Sequence, residues 1–177
     1  MDLLALLEEC GAVRRGLTHF KNGLVSDGWI EKGAVIHDPV LLDQVAAMQA
    51  QAIAGAFPTA TLLVGVPACG AVLASFVARH LNLPVAFPVL HPAPAWHRMH
   101  VPPAGERVVY VDDLICTGSD ARAVLAFLRG EGMHVLGVSA WVSRAELPGE
   151  HLVTLADAPF RNHASLPGTP VYTNVRE

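Results

Sequence analysis

The chain has 177 residues, 52% of them apolar and 16% charged. An ordinary soluble domain is about 25% charged, so this composition excludes a disordered chain and predicts one well-buried domain. A net charge of −4, with no run of basic residues, excludes a surface built to neutralise nucleic-acid phosphates.

The elements follow from periodicity and punctuation. The N-terminal MDLLALLEEC has no basic leader region and predicts a short amphipathic helix over residues 2–10 rather than a secretory signal. Residues 13–36 mix single aromatics with Gly16, Gly23, Gly28 and Gly33, the pattern of short antiparallel strands or turns in a small subdomain. Asp38 is placed to cap a helix that Pro39 preorganises and that runs to Gly55. Strands are then expected at 61–66, 84–90, 107–113 and 134–142, and helices at 70–82 and 119–129. The most membrane-like stretch, LLVGVPACGAVLASFVA at 62–78, is interrupted by Gly65, Pro67 and Gly70 and reads as buried strand, turn and buried helix. Continuous Val/Leu runs alternating with helices predict an α/β fold with a parallel sheet covered on both faces. Ligands bind such a sheet at the carboxyl ends of its strands, where the loops at 66–70, 90–105, 112–119 and 143–150 are expected to emerge.

Cys10, Cys69 and Cys116 are widely spaced with no CxxC, so neither a disulfide framework nor a zinc knuckle is expected, and a reducing cytoplasm is the simplest setting. The sharpest chemical feature is VVYVDDLICTGSD at 108–120, an apolar strand followed by two acids and a small-residue turn that opens a helix. Such a turn aims several backbone N–H groups, with the Thr117 and Ser119 hydroxyls, at one point, which is what a phosphate monoester requires. Asp112 and Asp113 cannot bind that phosphate. They are placed to accept hydrogen bonds from neutral hydroxyls such as a ribose offers, or to meet a magnesium ion through water. Without a Gly-Lys-Ser/Thr after the glycine, the turn is not a Walker A loop.

This segment resembles the signature by which type I phosphoribosyltransferases bind 5-phosphoribosyl diphosphate (PRPP). Most of the chain is similar to the orotate phosphoribosyltransferase branch. The resemblance implies a parallel central sheet flanked by helices with a small N-terminal hood, in one domain: hood 1–36, core 37–155, and a C-terminal segment 156–177. It implies that Asp112 and Asp113 hold the ribose hydroxyls, and that Cys116, Thr117, Gly118, Ser119 and Asp120 form the turn around the 5′-phosphate. GVPACGAVLA at 65–74 resembles the diphosphate loop, with Ala68, Cys69 and Gly70 at the diphosphate and a cis peptide expected at Ala68-Cys69. GAVRRGLTHFKNGLVSDGWIEK at 11–32 resembles the hood, where Lys21 and Trp29 line the pocket, and WVSRAE at 141–146 puts Arg144 on the base carboxylate. An arginine suits that task because its planar fork pairs with a carboxylate in bidentate fashion. Mg2+, PRPP, a nucleobase (orotate favoured) and a homodimer are implied too, with no nucleic acid or membrane partner.

The sequence also departs from that pattern. The segment at 91–107, HPAPAWHRMHVPPAGER, corresponds to the family's catalytic loop but has no lysine, leaving Arg98 as its candidate catalytic cation beside Arg107, His91, His97 and His100. Cys116 stands where threonine is usual, and Asp120 puts a carboxylate beside the proposed phosphate turn. Two further readings therefore stay open: a PRPP- or nucleotide-binding regulator without efficient turnover, and a transferase for another base.

Overall fold

The computed structural model describes residues 2–20, 23, 25–90, 92–98 and 100–163. Lys21 and His91, both singled out above, lie outside the described residues.

Helix α1 (Leu3–Glu9) is capped by Asp2, whose carboxylate accepts from the Leu4 amide at 3.2 Å. Strands β1 (Val13–His19) and β2 (Val25–Ile30) pair antiparallel within the segment expected to form the hood. A short helix α2 (Gly33–Ile36) follows, then α3 (Pro39–Ala56). Asp38 caps α3 as expected, accepting from the amides of Val40 at 2.9 Å and Leu41 at 3.2 Å. The remaining elements are β3 (Leu62–Gly65), α4 (Cys69–Leu81), β4 (Val85–Ala86), β5 (Pro88–Val89), β6 (Ala95–Trp96), β7 (Arg107–Ile115), α5 (Ser119–Gly130), β8 (His134–Ser143), β9 (Leu152–Thr154) and β10 (Asn162–His163).

The central sheet has the order β4-β3-β7-β8-β9, with every neighbouring pair parallel. Alternation along β7 splits the core in two. Val109 and Val111 face α3, α4 and the hood side, where Leu42, Val45, Ile53, Leu73 and Val77 are buried. Val108 and Tyr110 face α5, which buries Ala121, Val124, Leu125 and Leu128 at helical spacing. The expected doubly covered parallel sheet is therefore present, and among the described residues no helix is long and apolar enough to cross a membrane.

Three features differ from expectation. The strand read at 84–90 is broken in two. Val85 and Ala86 pair parallel with Leu63 and Val64, whereas Pro88 and Val89 turn away to pair antiparallel with Trp96 and Ala95. Pro88 has no N–H to extend an edge ladder, so the chain leaves the sheet there. The irregular connection after it thus contains a two-stranded arm, which Trp96 packs against Phe127 of α5 with ring centroids 5.1 Å apart. Finally, β9 extends the central sheet and β10 joins the hood as its third strand, pairings too short to carry a periodic signal.

Candidate active site

Three connections converge at the carboxyl edge of the sheet, around a cavity of about 470 Å³. Its lining includes Lys32, residues 66–70, Val89, Leu90, Tyr110, residues 112–114 and Asp120.

Strand β7 runs on to Ile115, past the start of the loop expected at 112–119, and its successive residues point to opposite faces, so the two acids near its end divide between the two sides of the sheet. Asp112 continues the Tyr110 face. Its Oδ2 accepts from the Tyr110 hydroxyl at 2.8 Å and its Oδ1 from the Asp113 amide at 2.9 Å. Burial, reinforced by the charge of Asp113, pushes the Asp112 carboxyl up to about 7, against the pull of these two donors and of Lys32. Burial and Asp112 likewise raise the Tyr110 hydroxyl, so it remains a protonated donor. Asp113 is 1% exposed and lies on the other face, where its Oδ1 accepts from the Leu114 amide at 2.7 Å and from Lys32 Nζ at 3.0 Å. Its buried Oδ2 has no hydrogen-bond partner among the described residues. Burial opposes the charge on Lys32, but Asp113 outweighs it and the ammonium is held above its usual pKa.

The 66–70 loop joins β3 to α4 with a cis peptide at Pro67–Ala68, one residue before the Ala68-Cys69 bond expected from the sequence. Two glycines let the loop pack closely. A Cβ on Gly65 would stand 2.3 Å from the Gly70 carbonyl oxygen, and one on Gly70 would reach Asp112 Oδ1 at 3.7 Å, so the loop lies close against the acid pair. No side chain caps α4; the Val66 carbonyl accepts from the Ala71 amide at 3.0 Å, and the helix opens with the cavity-lining Cys69 and Gly70.

The 116–120 turn opens α5 through Gly118, whose left-handed φ of +73° favours glycine; a Cβ there would sit 2.8 Å from Arg122 Nη1 and from Leu147 Cδ2, flexible side-chain ends that can give way. Ser119 does not cap the helix. Its hydroxyl instead lies 2.9 Å from Thr117 Oγ1, which also accepts from the Ser119 amide at 3.3 Å, while the N-cap residue Gly118 has no side chain to offer. Asp120 lines the cavity and residues 116–119 are not among its lining; burial holds the thiols of both Cys69 and Cys116 above their usual pKa, which leaves them poor nucleophiles.

Arg144 follows β8 and bridges core to hood. Its Nη1 donates to Ser26 Oγ at 3.0 Å and its Nη2 to the Gly28 carbonyl at 3.2 Å, with the guanidinium carbon 5.3 Å from the Phe20 ring centroid and 5.8 Å from that of Phe160. Trp29 is half-buried on β2, opposite Arg14, and is not among the cavity-lining residues. Arg98 is exposed just beyond β6 and likewise stands outside the cavity. Among the described residues no group of three potential ligands could hold a metal; the His97 and His100 ring centroids lie 6.3 Å apart.

Two residues escaped sequence reading. Lys32 sits 81 positions from its partner Asp113, and nothing local announces that pairing. Tyr110 left a trace, because an aromatic with a polar end in a run of buried valines needs a partner for its hydroxyl.

No family model matches the chain. The orotate phosphoribosyltransferase of Methylorubrum populi is 30% identical over 175 residues, covering 94% of this chain and 88% of that protein. That of a Methylobacterium species is 32% identical over 169 residues, covering 92% and 85%. The crystal structure of orotate phosphoribosyltransferase from Aeropyrum pernix superposes with a TM-score of 0.75 at 24% identity, covering 88% of this chain and 93% of that one, and shares the fold. Identity at this level across nearly the whole of both sequences settles the kinship that the acid pair and its two loops suggest: the chain belongs to the orotate phosphoribosyltransferase family.

Proposed function

We propose that this protein transfers the 5-phosphoribosyl group of PRPP to a ring nitrogen of orotate, or of a related acidic base, releasing diphosphate and a nucleoside 5′-monophosphate. The observation that carries the reading is the convergence of Asp112, Asp113, the 66–70 loop and the start of α5 on one cavity. In the transfer, the bond from ribose C1 to the diphosphate oxygen breaks as the bond to the base nitrogen forms, through an oxocarbenium-like transition state. No protein nucleophile is needed. The chain's work is to position two reactants and to stabilise the departing charge.

The amides at the start of α5, with Thr117, Gly118 and Ser119, receive the 5′-phosphate. Asp112, with one donor already on each oxygen, keeps its remaining lone pairs for ribose hydroxyls. Ala68, Cys69 and Gly70 meet the diphosphate. Arg144 marks the base end, with Lys21 and Trp29 contributed by the hood, and Arg98 is the candidate cation of the 91–107 segment.

The acid pair fits magnesium. Its donors are hard carboxylate oxygens, one of them buried without a partner, and no third ligand accompanies them among the described residues. Such a set suits an ion that keeps its waters and arrives on substrate phosphates. When bound, the ion would neutralise phosphate charge.

The proposal includes a cytoplasmic homodimer of single-domain subunits, and the pairing of β10 with β2 supports one domain by tying the C-terminal segment to the hood.

Nucleotide formation from PRPP, Mg2+ and a panel of bases tests the reading, with turnover expected for orotate. Arg144→Ala is expected to lose orotate turnover while PRPP still binds. Saturable PRPP binding without turnover of any base would replace this function with that of a PRPP-binding regulator, a reading favoured by Asp120 in the cavity and Arg98 outside it.

A further inference from the structure

We propose that Lys32 is the cation that stabilises the leaving diphosphate. The proposal rests on the phosphoribosyl-transfer reading and adds a catalytic residue to it. Among the described residues that line the cavity, Asp112, Asp113 and Asp120 are acidic and Lys32 is the single lysine or arginine. Diphosphate leaving ribose C1 gathers negative charge, and that charge is stabilised best by positive charge already in place. The segment at 91–107 has no lysine, and its Arg98 stands outside the cavity. Lys32 lines the same cavity as Pro67, Ala68, Cys69 and Gly70.

Its placement is built into the fold. The Lys32 carbonyl accepts from the amides of Val35 at 3.0 Å and Ile36 at 2.9 Å, and Val35 is fully buried in the core, so the backbone under the side chain is anchored. One donor of the ammonium is spent on Asp113 Oδ1 at 3.0 Å. The side chain is 41% exposed, and an ammonium has three donors, so two remain for phosphate oxygens. The adjacent acids therefore divide their work: Asp112 faces the ribose hydroxyls, and the buried Asp113 holds Lys32 in position. A lysine on a mobile loop must be carried in at each turnover; this one stands in the cavity beforehand.

The test uses the full chain in magnesium buffer. Lys32→Gln is expected to lower kcat with orotate about 100-fold. It should weaken inorganic diphosphate binding about tenfold, leaving ribose 5-phosphate affinity and the KM for orotate within about twofold, and Lys32→Arg should restore much of both losses. Unchanged kcat and diphosphate affinity would overturn the proposal, as would a parallel loss of diphosphate and ribose 5-phosphate. A second measurement needs no variant, because Lys21 and Lys32 are the only lysines. Diphosphate, but not ribose 5-phosphate, is expected to protect Lys32 from acetylation in the native protein, read by peptide mass; equal labelling with and without diphosphate would overturn the assignment. Absence of wild-type turnover would sink the transfer reading, and the diphosphate measurements would still decide the role of Lys32.

Discussion

The Tyr110 hydroxyl donates to Asp112 Oδ2 at 2.8 Å from within a strand otherwise built of buried valines at this level. Tyr110 and Asp112 are two residues apart and so share a face of the sheet, which lets a core side chain orient a carboxylate at the cavity. Tyr110→Phe keeps the ring and removes the donor. A net hydrogen bond of about 1 kcal/mol corresponds to about a fivefold weaker affinity for ribose 5-phosphate at neutral pH. The same donor favours the ionised carboxylate, so the deficit should shrink at pH 8.5, where Asp112 is ionised in either protein. Calorimetric titration at both pH values checks this, and an identical deficit at each would show that the hydroxyl does not tune Asp112.

The raised carboxyl of Asp112 also sets a pH dependence of stability. Burial first, and the charge of Asp113 second, lift it from the usual 3.8 to about 7. Between those values the folded protein binds this proton more readily than the unfolded chain does, so Asp112's contribution to stability falls as pH rises through that window and levels off above it. Melting temperatures of metal-free protein from pH 5 to pH 8 should show the decline, and Asp112→Asn should flatten it relative to wild type.

Asp120 sits in the first turn of α5, where its charge suits the helix but opposes a phosphate bound at the same end. Asp120→Ser is therefore expected to tighten ribose 5-phosphate binding about two- to fivefold, more at low ionic strength than at high. Equal or weaker binding by the variant would show that the carboxylate points away from the phosphate.

Gly118 is the one position of the 116–120 turn with a left-handed φ, where a side chain strains the backbone. Gly118→Ala meets both a left-handed φ of +73° and a contact of 2.8 Å with Arg122 and Leu147. The expected cost is about 1–3 kcal/mol in urea unfolding, with a loss of ribose 5-phosphate affinity as the turn shifts. A variant as stable as wild type would mean that the turn relaxes freely.

What sequence alone could establish here is whatever local physics repeats or spells out. The buried stripes of α3 and α5, the Asp38 cap and the Val/Leu strands are written in spacing over a few residues, so the helices and the long strands lie close to where expected. The acid pair and the small-residue turn are contiguous, and their chemistry follows from residue type and order. Short strands such as β9 and β10 take their hydrogen bonds from neighbours made elsewhere in the chain, and β5 exists only because Pro88 leaves one sheet and Trp96 offers another partner. The location of the cis bond depends on how β3 meets α4, which a one-residue shift of motif obscures.

Sequence by itself determined the fold class and the family and pointed to the edge of the sheet at which the cavity lies, because periodicity and contiguous motifs encode them. Only the tertiary structure decided which cation enters the cavity. Lys32 and Asp113 are 81 residues apart, and the pair forms because α2 is anchored by its buried Val35 while β7 presents Asp113 on the hood-facing side of the sheet. Ion pairing across that distance has no sequence period; it is set by packing.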